Sequence, residues 1–169
     1  IDSTVVTINN KAQIISNSQL ALNNSQVHSN ADAKITLNAP SDIEGTQFNF
    51  EGKASLRNNS TLNVKTSLMK FTGNSYFDNR SIVDLTGTTV DLSDNAYFES
   101  SSIVNLRGNS IVKIGDGSFE SKSYFYMNAS LNIYDNSMVH IANKNNYYGS
   151  WSLVYLRSLG TTFKPYQTA

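Results

Sequence analysis

Residues 76–96, YFDNRSIVDLTGTTVDLSDNA, run without a gap into residues 97–117, YFESSSIVNLRGNSIVKIGDG. The two blocks share Phe at the second position, Val at the eighth and Leu at the tenth. A repeat of this length takes precedence over local structure, because each repeat unit buries its apolar face only against its neighbours. In the same register lie 55–75, 34–54 and 13–33, with a partial block at 1–12. Downstream, SFESKSYFYMNASLNIYDNS at 118–137 fits as a block one residue shorter.

The columns of this alignment predict the fold. The second position carries Ile14, Ile35, Leu56, Phe77, Phe98, Phe119 and Val139; the eighth carries Leu20, Ser41, Leu62, Val83, Val104 and Phe125. The tenth carries Leu22, Ile43, Val64, Leu85, Leu106 and Met127. A third pair, after one-residue adjustments, is Val6, Val27, Phe48, Met69, Val90, Val112 and Leu131. It is followed two residues on by Ile8, Ser29, Phe50, Phe71, Leu92, Ile114 and Ile133. Each pair has the apolar–polar–apolar rhythm of a strand with one buried face. Three short strands per 21 residues, parted by Asn/Ser/Gly turns, describe an all-β, three-sided parallel β-helix (a β-solenoid) with coils ~4.8 Å apart. At the corner after the third strand, Asn74, Asn95, Asp116 and Asn136 recur, residue types that tolerate a left-handed backbone.

Residues 1–141 are expected to form about seven coils, and residues 142–169 an atypical final coil or cap with a tail. The run SWSLVYLRSLG would cover a sheet edge that otherwise invites aggregation. The N-terminal end begins in mid-coil, so either the natural chain continues upstream or that edge pairs with another molecule.

Composition narrows the function. Hydrophobic residues make up 39% and charged residues 15%, against roughly 25% charged in an average domain. Uncharged polar residues fill the difference, with 22 Asn and 24 Ser. The net charge is zero and no basic patch appears, so nucleic acid is not an expected partner. No apolar run approaches the ~20 residues of a membrane span. The chain opens at Ile1 without a signal-peptide pattern, as expected of a mature product or an excised piece. The absence of Cys removes disulfide scaffolds, thiolate zinc sites and cysteine nucleophiles.

The tandem GNS-x-F, SIVDL, DNA-x-F, SIVNL, GNS-x-V of residues 73–112 resembles the parallel β-helix passenger repeats of secreted surface proteins. These include autotransporter adhesins, vacuolating-cytotoxin-like and filamentous-haemagglutinin-like proteins. The resemblance implies a secreted or cell-surface location and a role in adhesion or in presenting other domains. Together with the general rule for parallel crossovers, it implies a right-handed coil. Phe71-Thr72-Gly73-Asn74 also matches the FxxN element of chlamydial polymorphic outer-membrane proteins, whose GGAI partner element is missing here.

For chemistry, the third repeat position gives a row of carboxylates, Asp78, Glu99 and Glu120, with Arg57 one coil earlier. Carboxylates ~5 Å apart approach the spacing of a retaining glycosidase pair and could share Ca²⁺. A solvated acidic ladder relieved by Arg80 and Lys122 is the favoured account, and tight coils leave no cleft. No catalytic, cofactor-binding or metal site is therefore expected. His28 and His140 are expected to face outward on different sides. Tyr76, Tyr97, Tyr124, Tyr126, Tyr147, Tyr148 and Trp151 are aromatics outside the expected core. Of these, Tyr147, Tyr148 and Trp151 are candidate contacts for a glycan or protein, with packing in the cap as the competing account. N-x-Ser/Thr sequons stand at Asn23, Asn58, Asn59, Asn79 and Asn128. The expected function is a non-enzymatic stalk or multivalent adhesive segment. Its partners would be glycans or proteins of a host or neighbouring cell, or other copies of itself stacked into filaments. A polysaccharide lyase or hydrolase is a further alternative.

Overall fold

The structure, a computed structural model, describes residues 1–115, 123–127, 130–141 and 153–155. Strands of three or four residues follow one another along the chain. They are β1 (Val5–Ile8), β2 (Gln13–Ser16), β3 (Leu20–Asn23), β4 (Gln26–Ser29), β5 (Lys34–Leu37) and β6 (Ser41–Glu44). Next come β7 (Gln47–Phe50), β8 (Ser55–Asn58), β9 (Leu62–Lys65), β10 (Leu68–Phe71), β11 (Tyr76–Asn79) and β12 (Val83–Thr86). Then follow β13 (Thr89–Leu92), β14 (Tyr97–Ser100), β15 (Val104–Arg107), β16 (Ile111–Ile114), β17 (Tyr124–Met127), β18 (Leu131–Ile133), β19 (Met138–Ile141) and β20 (Leu153–Tyr155). Every third strand joins the same parallel sheet. The first sheet runs β1-β4-β7-β10-β13-β16-β19, the second β2-β5-β8-β11-β14-β17-β20, and the third β3-β6-β9-β12-β15-β18. This is a three-sided β-solenoid.

Within each strand, alternate residues point inward, because successive side chains leave opposite faces of a pleated strand. Phe77, Val83, Leu85, Val90 and Leu92 of one coil are all fully buried. Their counterparts above and below stack on them. Phe50 and Phe71 have ring centroids 4.7 Å apart, Phe77 and Phe98 4.4 Å, and Phe98 and Phe125 4.8 Å. Phe71 also meets Phe77 across the corner at 6.2 Å, so the aromatic stack continues from one face to the next.

The register departs from the expected one after β16. Phe98 pairs with Phe125, not with Phe119, and Leu106 pairs with Ile133, not with Met127. Likewise Val104 meets Leu131, Val112 meets Val139 and Ile114 meets Ile141. This coil therefore advances 27 residues, as Phe98↔Phe125 shows. Most of the surplus lies between β16 and β17, over residues 115–123, where the preceding coil uses only residues 93–96; one further residue lies between β15 and β16, at 108–110 against 87–88. Local pattern cannot separate the aromatic–acid start of 118–120 from the aromatic run of 124–126. The longer route is favoured because it alone continues the third sheet with Leu131 and Ile133 facing inward.

The corners hold a second correction. The left-handed residue is not Asn74 or Asn95 but the residue before each, Gly73 at φ 68° and Asp94 at φ 56°. The same column holds Asn10, Ala31 and Gly52, all at positive φ. Asn74 and Asn95 instead donate their backbone N–H to the carbonyls of Gly52 and Gly73 at 2.6 and 2.9 Å. Asp116 lies outside the described residues, and Asn136 follows Asp135, which is the left-handed residue at a different corner (φ 57°). Glycine is favoured sterically at 73 as well, since a Cβ there would stand 3.1 Å from the backbone N and O of Gly52, a tight contact.

At the corner between the third and first sheets, Ser25, Thr46, Ser67, Thr88, Ser110 and Ser137 form a buried hydroxyl column. From Thr46 on, each hydroxyl accepts the backbone N–H of the column member one coil earlier, as from Thr46 to Ser67 (3.1 Å) and from Thr88 to Ser110 (3.0 Å). Hydroxyls also donate to local carbonyls, Ser67 to Lys65 at 2.7 Å and Thr46 to Glu44 at 3.0 Å. Buried amide groups that the corner takes out of the ladder are thus satisfied.

Candidate functional site

Three outward faces are available, and their chemistry differs. On the third sheet the outward row is Ala21, Asp42, Asn63, Asp84, Asn105 and Asn132. Its polar side chains bond to one another in two groups: Asn63 donates to Asp42 at 2.8 Å, and Asn105 donates to Asp84 while Asn132 donates to Asn105 at 2.8 Å. The Asp42 carboxyl is held below its ordinary pKa chiefly by the Asn63 hydrogen bond, then by Gln19 and the charge of Lys65, against a small opposing effect of burial.

On the first sheet the outward row is Thr7, His28, Asn49, Lys70, Asp91, Lys113 and His140. The two histidines therefore share one face and one row, contrary to the expectation of different sides. They still do not converge, because the strands from β7 to β16 lie between them. His28 Nδ1 has the Asn49 side-chain amide as its neighbour at 3.4 Å. Lys113 reaches Asp91 at 3.7 Å.

The second sheet carries the aromatic and strongly charged face, and it is the candidate site. One row contains Ser55, Tyr76 and Tyr97; the row beside it contains Arg57, Asp78, Glu99 and Tyr126. The Tyr76 and Tyr97 rings stack at 4.9 Å with an interplanar angle of 3°. Asp78 is clamped by the Nε atoms of Arg57 and Arg80, each 2.9 Å from Oδ2. Its side chain keeps only 15% of its exposure, whereas Glu99 is exposed. Fixed aromatic and charged groups of this kind lose little conformational freedom on binding.

Of the expected acidic ladder, Asp78 and Glu99 are register neighbours on adjacent strands. The register neighbour of Glu99 on the next strand is Tyr126, where the expected ladder had Glu120. Glu120 itself, Lys122, and the aromatic candidates Tyr147, Tyr148 and Trp151 lie outside the described residues. Two of the sequons are structural. Asn58 and Asn79 are fully buried, and Asn58 donates to the Asn79 side chain at 2.8 Å and Asn79 to Ser100 at 2.9 Å. A glycan cannot be carried there in the folded chain.

Sequence reasoning missed the hydroxyl column and the Asp/Asn row. The signal was present in the spacing of Ser25, Thr46, Ser67 and Thr88, and of Asp42, Asn63, Asp84 and Asn105. Attention to apolar columns alone passed over it. Among the described residues no helix is long and apolar enough to cross a membrane. No protein-family model matches the sequence, and no curated protein and no solved structure is significantly similar to it.

Proposed function

We propose that this chain is a non-enzymatic, rigid segment of a secreted or surface-displayed protein, of the autotransporter, vacuolating-cytotoxin or filamentous-haemagglutinin kind. It acts as a stalk and as a multivalent adhesive face toward glycans or proteins of another cell. The observation that carries this reading is the unbroken parallel register of the three sheets. Each outward row places one side chain per coil at the strand spacing of ~4.8 Å, so individually weak contacts act together. The four-residue connections such as 93–96 build no cleft of the sort that hydrolytic chemistry requires. The test is binding of demonstrably monomeric protein to a glycan array and to whole cells. Saturable binding weakened by Tyr76→Ala with Tyr97→Ala, at unchanged circular dichroism, is the expected result. Turnover of an acidic glycan that depends on Glu99 would overturn it.

A second reading, end-to-end stacking into filaments, is favoured by the first coil. There Val6, Ile14 and Leu20 are only half-buried, and with Ile1 they line an apolar cavity. Another copy's final coil would cover them and pair with β1 and β2. Electron microscopy distinguishes the readings: fibres abolished by Val6→Asp support stacking, and particles that stay single at high concentration exclude it.

A further inference from the structure

We propose that Tyr76 and Tyr97 are an oxidative cross-linking site, at which a dityrosine bond joins two consecutive coils. The two residues are register partners on β11 and β14. Their rings lie parallel within 3° at a centroid distance of 4.9 Å. Both are half-buried on the outer face of the second sheet, the side from which an oxidant arrives. The chain has no Cys to intercept that oxidant or to supply a disulfide staple.

The chemistry balances with hydrogen peroxide as the oxidant and a haem peroxidase as the one-electron mediator. Each phenol loses one electron and its hydroxyl proton, giving two phenoxyl radicals. A carbon–carbon bond forms between ring positions ortho to the oxygens. The two ortho hydrogens shift to the phenolic oxygens and restore aromaticity. The two electrons and two protons reduce one peroxide to two waters, so the protein loses two hydrogens in all. Strand pairing makes the coupling intramolecular, which favours it strongly over reaction between chains. A slide and rotation of the rings about their own side-chain bonds brings the ortho carbons together; the backbone register already holds the two residues side by side. The resulting link closes a loop in a chain that otherwise has only non-covalent contacts between coils, and restricts its unfolded state as a disulfide does. This inference stands independently of the adhesive reading.

The experiment treats dilute monomeric protein with a peroxidase and limiting hydrogen peroxide. The expected product is a monomer on a denaturing gel, lighter by two hydrogens, with dityrosine fluorescence and a linked peptide pair containing Tyr76 and Tyr97. Its thermal midpoint should exceed that of the untreated protein. Tyr97→Phe, and separately Tyr76→Phe, should lower the yield of that product by about tenfold or more, while Tyr134→Phe leaves it unchanged. Circular dichroism of each variant checks that the fold is retained. A link that maps elsewhere, a product consisting only of joined chains, or an undiminished yield in Tyr97→Phe would each overturn the assignment.

Discussion

The coil at residues 76–92 and the coil at residues 1–22 are built on the same pattern, but only the first is sealed. Phe77, Val83, Leu85, Val90 and Leu92 show no exposure. In the first coil the matching inward positions Ile8 and Leu22 are buried, but Val6, Ile14 and Leu20 remain half-buried, and the outward Val5 and Ile15 are exposed. The residues are similar in kind; what differs is that a central coil has a neighbour on both sides. In a solenoid, stability is approximately a sum of intrinsic coil terms and nearest-neighbour interfaces. A side chain here is therefore worth as much as the coils that stack on it.

The largest expected effect breaks the central coil. Phe77→Ala removes a ring that contacts Phe71, Phe98 and their neighbours, and should cost about 3–5 kcal/mol. The equivalent truncation in the first coil, Val6→Ala, should cost less than about 1 kcal/mol. Urea denaturation of the two variants reads the difference directly. Equal losses would contradict the contrast.

Corner substitutions sharpen the comparison at smaller scale. Ser110→Ala strips Thr88 N–H of its 3.0 Å acceptor inside the protein and should cost about 1–3 kcal/mol. Gly73→Ala imposes a Cβ on a left-handed residue (φ 68°) against the Gly52 backbone, with an expected cost of at least about 1–2 kcal/mol. The reverse change at the same corner, Ala31→Gly, relieves a left-handed alanine (φ 54°). It should stabilise by about 0.5–1 kcal/mol once the entropy of glycine is deducted. Thermal melts of the pair should therefore shift in opposite directions.

The smallest effect is electrostatic. The Asp42 carboxyl has a depressed pKa in the folded chain, from its Asn63 and Gln19 hydrogen bonds. Its contribution is present above the ordinary carboxylate range and is lost as pH falls through the lowered folded value. Asp42→Asn should therefore leave the protein less sensitive to acid, with a slight flattening of the stability curve on the acid side. Asp42 is exposed, so the change should be just measurable by melts at stepped pH.

The three-sided plan and five coils of register were legible in the sequence because apolar pairs recur at fixed spacing, from Leu22 through Ile43, Val64 and Leu85 to Leu106. Legibility failed where two local matches competed. Phe119 and Phe125 each follow a small or aromatic residue and precede an acid or a tyrosine, and only the pairing of Leu131 and Ile133 with the coil above decides between them. The left-handed corner positions were misplaced by one residue for a related reason. Asn favours that conformation, but Ala31 and Thr66 adopt it without any such preference, because the coil path dictates where the turn must fall. Of the candidate site, the tyrosine row could be recognised as outward aromatics. The neighbourhood of Asp78, with Arg57 one coil earlier and Arg80 two residues on, could also be read from the register; the closure of both guanidinium groups on one carboxylate oxygen could not.

Residue-resolved amide hydrogen exchange under native conditions tests the stacked-coil account most directly. Amides of β8 through β15 should exchange only through global unfolding, with equal free energies across the three sheets, while those of β1 and β2 exchange orders of magnitude faster through local opening. Uniform protection from β1 to β15, or one sheet opening independently of the other two, would contradict it.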